Sequence, residues 1–322
     1  MKNIITIIIF ITVIAVILPK KTLAQQVTLS LSPPIVETLI KPGKTVLIGY
    51  TVQNLADPTP LLFKIRSFSP QGDYGEMIID DELSGPIRFS LDNTDMELEQ
   101  PFLMKTSDVR QALVRIRIPD GTPEGDYYYT ILAESQPAPD IGGQSSPRAT
   151  ATIGSNLLIT VTNTGITEAN GRIALFDIPS LYQLNIGATR YNLIESQSVV
   201  PVTLVVQNKG KNMVKPQGTI TLRGPLSPTK SFPLIPQNIL AESQRLIRTE
   251  GTLRSDDRIS LKLSGFLLGS YTLSASVYFG EGSQQLFANA TFIALPFRLM
   301  GVLSLLLFIT FSFFYFARKK SE

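Results

Sequence analysis

Between residues 271 and 279 apolar and polar side chains alternate: Tyr271, Leu273, Ala275, Val277 and Phe279 are separated by Thr272, Ser274, Ser276 and Tyr278. Successive side chains of a strand point to opposite faces. This spacing therefore gives one face to a core and the other to water, as in an antiparallel sheet with one solvated side. The pattern recurs at Val46, Ile48, Tyr50 and Val52, at Val114, Ile116 and Ile118 with Arg115 and Arg117 opposite, and at Val202, Leu204 and Val206. Turn chemistry separates the runs at Lys41-Pro42-Gly43-Lys44, Asp120-Gly121-Thr122-Pro123, Gly224-Pro225 and Gly280-Glu281-Gly282, where Gly admits positive φ and Pro presets a turn. No helical periodicity competes between Val27 and Ile293, so the expectation is an all-β chain built as sandwiches.

Two apolar segments stand outside this pattern. Ile4 to Leu18 carries no charge, follows Lys2 and leads to Thr22, Leu23 and Ala24; it is short for a hydrocarbon core of ~30 Å and reads as a signal peptide over 1–24, cut after Ala24. Lys20 and Lys21 leave an uncleaved anchor as the other reading. Leu299 to Ala317 is uncharged between Arg298 and Arg318 and would rise about 28 Å as a helix. The positive-inside rule puts Arg318, Lys319 and Lys320 in the cytoplasm. The expectation is a single-pass type I protein of the plasma membrane. Its ectodomain lies outside a bacterial cell, a transmembrane helix covers 295–317 with Arg298, Arg318, Lys319 and Lys320 at its flanks, and 318–322 forms a basic tail. A buried core helix is the competing reading. A sortase signal needs Thr-Gly after Leu-Pro, whereas Leu295-Pro296 is followed by Phe297-Arg298. Lys319-Lys320-Ser321-Glu322 matches a dilysine retrieval signal, as would any tail of this shape.

The formal net charge of +3 belongs to these ends, which hold six of the 29 Lys and Arg and one of the 26 acids. Residues 25–298 then carry 23 basic and 25 acidic side chains, a net −2. Without a basic excess there is no counterion-release binding to supply affinity for nucleic acid, and none is expected as a partner. Cysteine is absent, which excludes disulfides and thiolate metal sites.

Histidine is absent as well, removing the usual general base, the Ser-His and Cys-His pairs and the commonest metal ligand. The chain is read as not an enzyme, with no catalytic, cofactor-binding or metal-binding residues and no cofactor. The densest acids, Asp80-Asp81-Glu82 and Asp92, Asp95, Glu97 and Glu99, could serve Ca²⁺ or a glycosidase pair, or form a solvated edge and turn. Glu97 and Glu99 alternate with Met96 and Leu98 as on a half-exposed strand. Gln136 to Arg148 and Gly224 to Pro236 are rich in Pro, Gly and Ser and read as loops, each an idle tip or a binding loop.

A weak duplication runs through the chain. Tyr50-Thr51-Val52-Gln53-Asn54 recurs as Leu204-Val205-Val206-Gln207-Asn208, and Gly125-Asp126-Tyr127 answers Gly269-Ser270-Tyr271. The Gly would permit a tight approach, and the Tyr would bury its ring while its hydroxyl finds backbone partners. The length between the ends suits two domains, a first immunoglobulin-like one over 25–165 and a second over 166–294.

Leu31-Ser32-Pro33-Pro34, Lys41-Pro42-Gly43-Lys44, a strand closing in Asn54, and Ile118-Pro119 through Tyr127 follow in an order that resembles the immunoglobulin-like, pilus-chaperone-like (PapD-like) module of WxL-interacting cell-surface proteins. In the second half Asn238-Ile239-Leu240-Ala241-Glu242-Ser243-Gln244-Arg245 is similar to that family's Leu-Pro-x-Ser-x-Arg segment, with Ala241 in place of the Pro. The resemblance implies two tandem antiparallel sandwiches and a C-terminal transmembrane helix, the first domain contacting peptidoglycan and the second a surface or host protein. Pilus chaperones use a basic residue near the first strand to hold a subunit carboxylate, whereas Pro33 to Leu39 offers Ile35, Val36 and Glu37. The functional expectation is a membrane-anchored binding or scaffolding protein contacting cell-wall polymer or other surface proteins through edge strands or loops. An accessory subunit of a surface assembly and a carboxylate-dependent glycan hydrolase are the other two readings.

Overall fold

The computed structural model describes residues 28–136, 150–180, 182–187, 189–225, 228–252, 258–280 and 283–319. The first ten strands are β1 (Leu29–Ser32), β2 (Ile35–Ile40), β3 (Thr45–Asn54), β4 (Thr59–Gln71), β5 (Glu76–Ile79), β6 (Arg88–Leu91), β7 (Pro101–Met104), β8 (Val109–Arg117), β9 (Gly125–Ser135) and β10 (Thr152–Val161). One sheet runs β1-β3-β8-β6; the facing one runs β2-β10-β9-β4-β5, with β7 also on β4. The next ten are β11 (Gly171–Asp177), β12 (Tyr182–Ile186), β13 (Thr189–Glu195), β14 (Val200–Asn208), β15 (Gln217–Arg223), β16 (Lys230–Pro233), β17 (Gln244–Leu246), β18 (Leu261–Leu263), β19 (Gly269–Tyr278) and β20 (Leu286–Leu295). They give β11-β14-β17, with β18 also on β14, facing β12-β13-β20-β19-β15-β16.

Pro33 and Pro34 offer no N–H to a ladder, and at that break the chain changes sheets. β1 pairs antiparallel with β3, while β2 lies parallel to β10. In the second unit β13 lies parallel to β20. The wholly antiparallel expectation is corrected at one pairing in each unit; a parallel neighbour requires a long crossover, which the intervening strands supply.

Each pair of sheets closes on its own core. Tyr50, Val52, Phe63, Val114, Ile116, Ile118 and Tyr129 lie in the first; Val202, Leu204, Val206, Tyr271, Leu273, Ala275, Val277 and Phe292 lie in the second. The alternation holds along β8 and β19, where the intervening residues are exposed or half-buried. Along β14 it fails, because Thr203 and Val205 are covered too. With no cysteine, burial at ~1.5–3 kcal/mol per large side chain is what holds these cores. The rings of Tyr271 and Phe292 stack 5.2 Å apart, and Gly224 lets the chain pass beside them: a Cβ there would lie 2.1 Å from Tyr271 Cε1.

Helix α1 (Phe297–Lys319) follows β20, its side chains described as far as Phe313. Among the described residues no helix is long and apolar enough to cross a membrane. The stretch from Phe297 to Phe313 rises about 26 Å, against a hydrocarbon core of ~30 Å, and carries Arg298 within it. This overturns the expected transmembrane helix over 295–317 and, with it, the placement as a single-pass plasma-membrane protein. Residues 92–100 are also not a strand. Glu99 takes a positive φ of 62°, and Met96 and Leu98 reach the core from a loop.

The duplication is sharper in three dimensions than in sequence. Asn54 Nδ2 donates to the carbonyls of Asp57, Met104 and Lys105, and its Oδ1 accepts from the Ala56 amide. Asn208 Nδ2 donates to those of Asn212, Ile239 and Leu240, and its Oδ1 accepts from Gly210. Both side chains are fully buried. The paired segments match as well: the Asn54 amide donates to Asp108 O and that of Asn208 to Ser243 O, each after a turn with a positive φ, at Ser107 (60°) and Glu242 (56°). Met104 to Arg110 is thus the counterpart of Ile239 to Arg245.

Replacing either Asn54 or Asn208 by Ala should cost about 2–3 kcal/mol, since buried carbonyls lose their donor. Asn54→Asp should fare no better, keeping the acceptor and losing the donor. Urea unfolding followed by tyrosine fluorescence measures this; a loss under ~1 kcal/mol would show that water replaces the amide. Gly224→Ala should destabilise by ~1–3 kcal/mol through overpacking against Tyr271, read in the same assay.

Candidate functional site

The residues expected from the sequence to mark the ends do not converge. Ala24 and Lys320 lie outside the described residues, and Arg318 and Lys319 fall in α1 beyond its described side chains. Arg298 opens α1, its amide donating to Glu195 Oε2 at 3.2 Å. It helps to line a cavity of about 840 Å³ with Tyr182, Leu193 and Phe297. Of the loop from Gln136 to Arg148 only Gln136 is described. The acids are spread over separate partners: Asp92 pairs with Arg115, Asp95 with Arg110 and Glu99 with Arg66, and Asp80 accepts from Ser67 Oγ. Among the described residues no group of three or more His, Cys, Asp or Glu is placed to hold a metal.

What the fold does gather is a polar seam between the two sandwiches. Asp126 follows Gly125, whose φ of 144° suits glycine and turns the carboxylate inward at the start of β9. Asp126 Oδ1 accepts from Thr160 Oγ1 (2.8 Å) and Asn212 Nδ2 (3.0 Å), and Oδ2 from the Tyr128 hydroxyl (2.9 Å) and the Met213 amide. Tyr128 in turn accepts from the Ala241 amide at 2.8 Å. Burial first, and then the negative charge of Asp126, raises the Tyr128 phenol well above its usual range, so it stays a donor.

On β2, Glu37 accepts from Lys215 Nζ at 3.1 Å and Asn238 Nδ2 at 2.6 Å. Burial works to raise its carboxyl, but the Asn238 and Lys215 hydrogen bonds and the lysine charge outweigh it, leaving it below the usual value. A group lowered on folding contributes fully above its ordinary value and loses that contribution as pH falls through the lowered one. Being partly exposed, the pair is worth under ~1 kcal/mol. Thus β2 presents an acid, turned to Lys215 and Asn238 of the second sandwich. The segment singled out by the family resemblance, Asn238 to Arg245, lies at this seam.

The third contact comes from the β4–β5 hairpin. β4 pairs with β9 only as far as Ser67, and its remaining residues pair with β5 alone, Phe68 with Ile79 through Gln71 with Glu76. The tip reaches the second sandwich, where the Leu246 amide donates to Asp73 O and Gln244 Nε2 to Asp73 Oδ1, both at 2.6 Å. Gly75 lies under the Arg245 guanidinium, leaving no room for a Cβ. The outer side of β17, a short edge strand, is thereby covered, while the outer side of β5 pairs with no strand among the described residues.

β5 itself carries Met77, Ile78 and Ile79, which are 38%, 48% and 42% exposed, and every residue from Gly75 to Gly85 is exposed. The Asp80 amide donates to Ser67 O. In an antiparallel ladder such pairs alternate, so the N–H and C=O of Met77 and Ile79 face outward to the open side. Natural sheets shield such edges with charge, proline or a covering segment; here the strand is apolar in its centre and open.

No family model matches the chain, and no curated protein matches it. Among solved structures it is similar to the class 5 fimbriae chaperone CfaA at 10% identity, over 83% of this chain and 100% of that one, with a TM-score of 0.38. It is similar to the Salmonella enterica SafA pilin in complex with the SafB chaperone at 11% identity, over 82% and 97%, with a TM-score of 0.37. It is also similar to the E. coli chaperone DraB at 13% identity, over 81% and 98%, with a TM-score of 0.35. At these identities and scores the likeness carries no residue or partner across.

Proposed function

We propose that the chain is a non-catalytic, cell-surface binding or scaffolding protein that engages cell-wall polymer or another surface protein, its protein contact made by main-chain pairing along β5. The supporting observation is that edge: an apolar strand with Met77 and Ile79 presenting their backbone groups to solvent. Edge addition draws affinity from main-chain hydrogen bonds and specificity from alternate side chains. The seam suits the role, because Asp126, Glu37 and Asp73 fix the two sandwiches as one platform on which the hairpin is braced at both ends. The WxL-interacting resemblance agrees with a division in which the first domain meets the wall and the second a protein, and the leader over 1–24 agrees with export.

The purified chain should be retained on isolated surface proteins or cell wall. Ile79→Pro removes one outward N–H while leaving the ladder to β4 intact, and should reduce retention on protein at least tenfold. Equal retention of the variant, with unchanged circular dichroism, would refute edge pairing; loss of retention on both materials in the unmodified chain would refute the binding role. The intact mass of the exported protein should begin at Gln25.

A further inference from the structure

We infer that the strand taken up by β5 belongs to a different protein and is basic: an extended segment with apolar residues at its centre and a Lys or Arg on either side, placed to face Glu76 and Asp80. This deepens the edge-pairing reading above and rests on it.

Along β5 the side chains of Glu76, Ile78 and Asp80 share one face, and those of Met77 and Ile79 the other. The open edge is thus apolar in the middle and acidic at both ends on a single face. Beyond it the chain continues as Asp81 and Glu82, and from Ser67 to Ile87 there is no Lys or Arg. Among the described residues Asp80, Asp81 and Glu82 join no ion pair. Arg245 sits at the turn, over Gly75, so the far end of the strand is the more strongly negative. Opposite charges directly across a ladder stabilise pairing and like charges oppose it, which selects a partner strand with cations at both positions.

The same charges, with the braced turn, exclude a second copy. Antiparallel two-fold pairing must bring the outward groups of Met77 and Ile79 into register with themselves or with each other. If Met77 meets Ile79, Glu76 faces Asp80. If Ile79 meets Ile79, Glu76 faces Glu82. If Met77 meets Met77, the ladder runs into the turn at Tyr74 and Gly75, whose tip is already held by the second sandwich through Asp73. Each register thus sets acid against acid or runs into the braced turn, while the apolar centre alone would favour self-pairing. The acids and the turn therefore keep the edge open for a heterologous strand.

The test uses the full chain and two fluorescein-labelled peptides, acetyl-Ser-Lys-Val-Ile-Val-Lys-Ser-amide and its counterpart with both Lys changed to Glu, compared by anisotropy at low salt. The Lys peptide should bind about tenfold or more tightly than the Glu peptide, and 0.5 M salt should shrink the difference, since the Debye length is then below ~10 Å. Glu76→Lys combined with Asp80→Lys should reverse the preference, and Ile79→Pro should weaken the Lys peptide. Equal binding of the two peptides, or binding of neither, overturns the basic-strand inference. If that happens while Ile79→Pro still lowers retention on surface proteins, the edge-pairing reading survives; if Ile79→Pro has no effect in either assay, both fall. A concentration-dependent dimer in sedimentation equilibrium that Ile79→Pro abolishes would overturn the exclusion of a second copy.

Discussion

Of the three acids that hold the two halves of this protein in register, Asp126 gathers the most donors. Asp126 takes two hydrogen bonds from its own sandwich, from Thr160 and Tyr128, and two from the other, from Asn212 and Met213. A charge so placed tolerates partial desolvation only because all four donors are present. Their positions depend on β9, β10 and the loop after β14 arriving together. Tyr128 extends the network to Ala241, and Phe68 stacks on the Tyr128 ring at 5.7 Å, which carries the same constraint to the root of the β4–β5 hairpin. The orientation of the hairpin, and thus of its open strand, follows from chemistry at the base of β9.

The strands were legible where burial is one-sided. Val114, Ile116 and Ile118 against Arg115 and Arg117, and Tyr271 through Val277, alternate in the structure as in the sequence, because a pleated strand has two faces and only one was needed for the core. The pattern is uninformative where both faces share a fate. β14 is covered on both, and Met77, Ile78 and Ile79 are exposed on both, so a run of consecutive apolar residues gave no sign of which way it would fall. Parallel placement of β2 beside β10 also leaves no local trace, since it depends on where a distant strand ends.

The duplicated Gln-Asn strand end pointed to a repeat without showing what the Asn does. Its role depends on segments about fifty residues on in one copy and thirty in the other, so only the assembled fold reveals the clamp. Once it is seen, Met104 to Arg110 and Ile239 to Arg245 align as counterparts, with an arginine closing each. Tyr271 buries its ring and receives the Leu268 amide. Tyr127, its expected twin, is only partly covered and donates to Pro123 O; Tyr129, two residues on, fills the core instead. The seam residues Asp126, Glu37 and Asp73 carried no pattern beyond being acids in a chain with many.

Domain duplication usually suggests parts that can be separated. Here the tip of the first unit's hairpin lies along the outer side of β17 in the second, with Asp73 occupying the Leu246 amide. Cutting the chain between β10 and β11 would therefore leave the second unit with a freshly bared strand edge, and the first with a hairpin projecting into water. The tandem repeats its architecture yet does not divide cleanly, because a strand edge of one half is covered by a finger of the other.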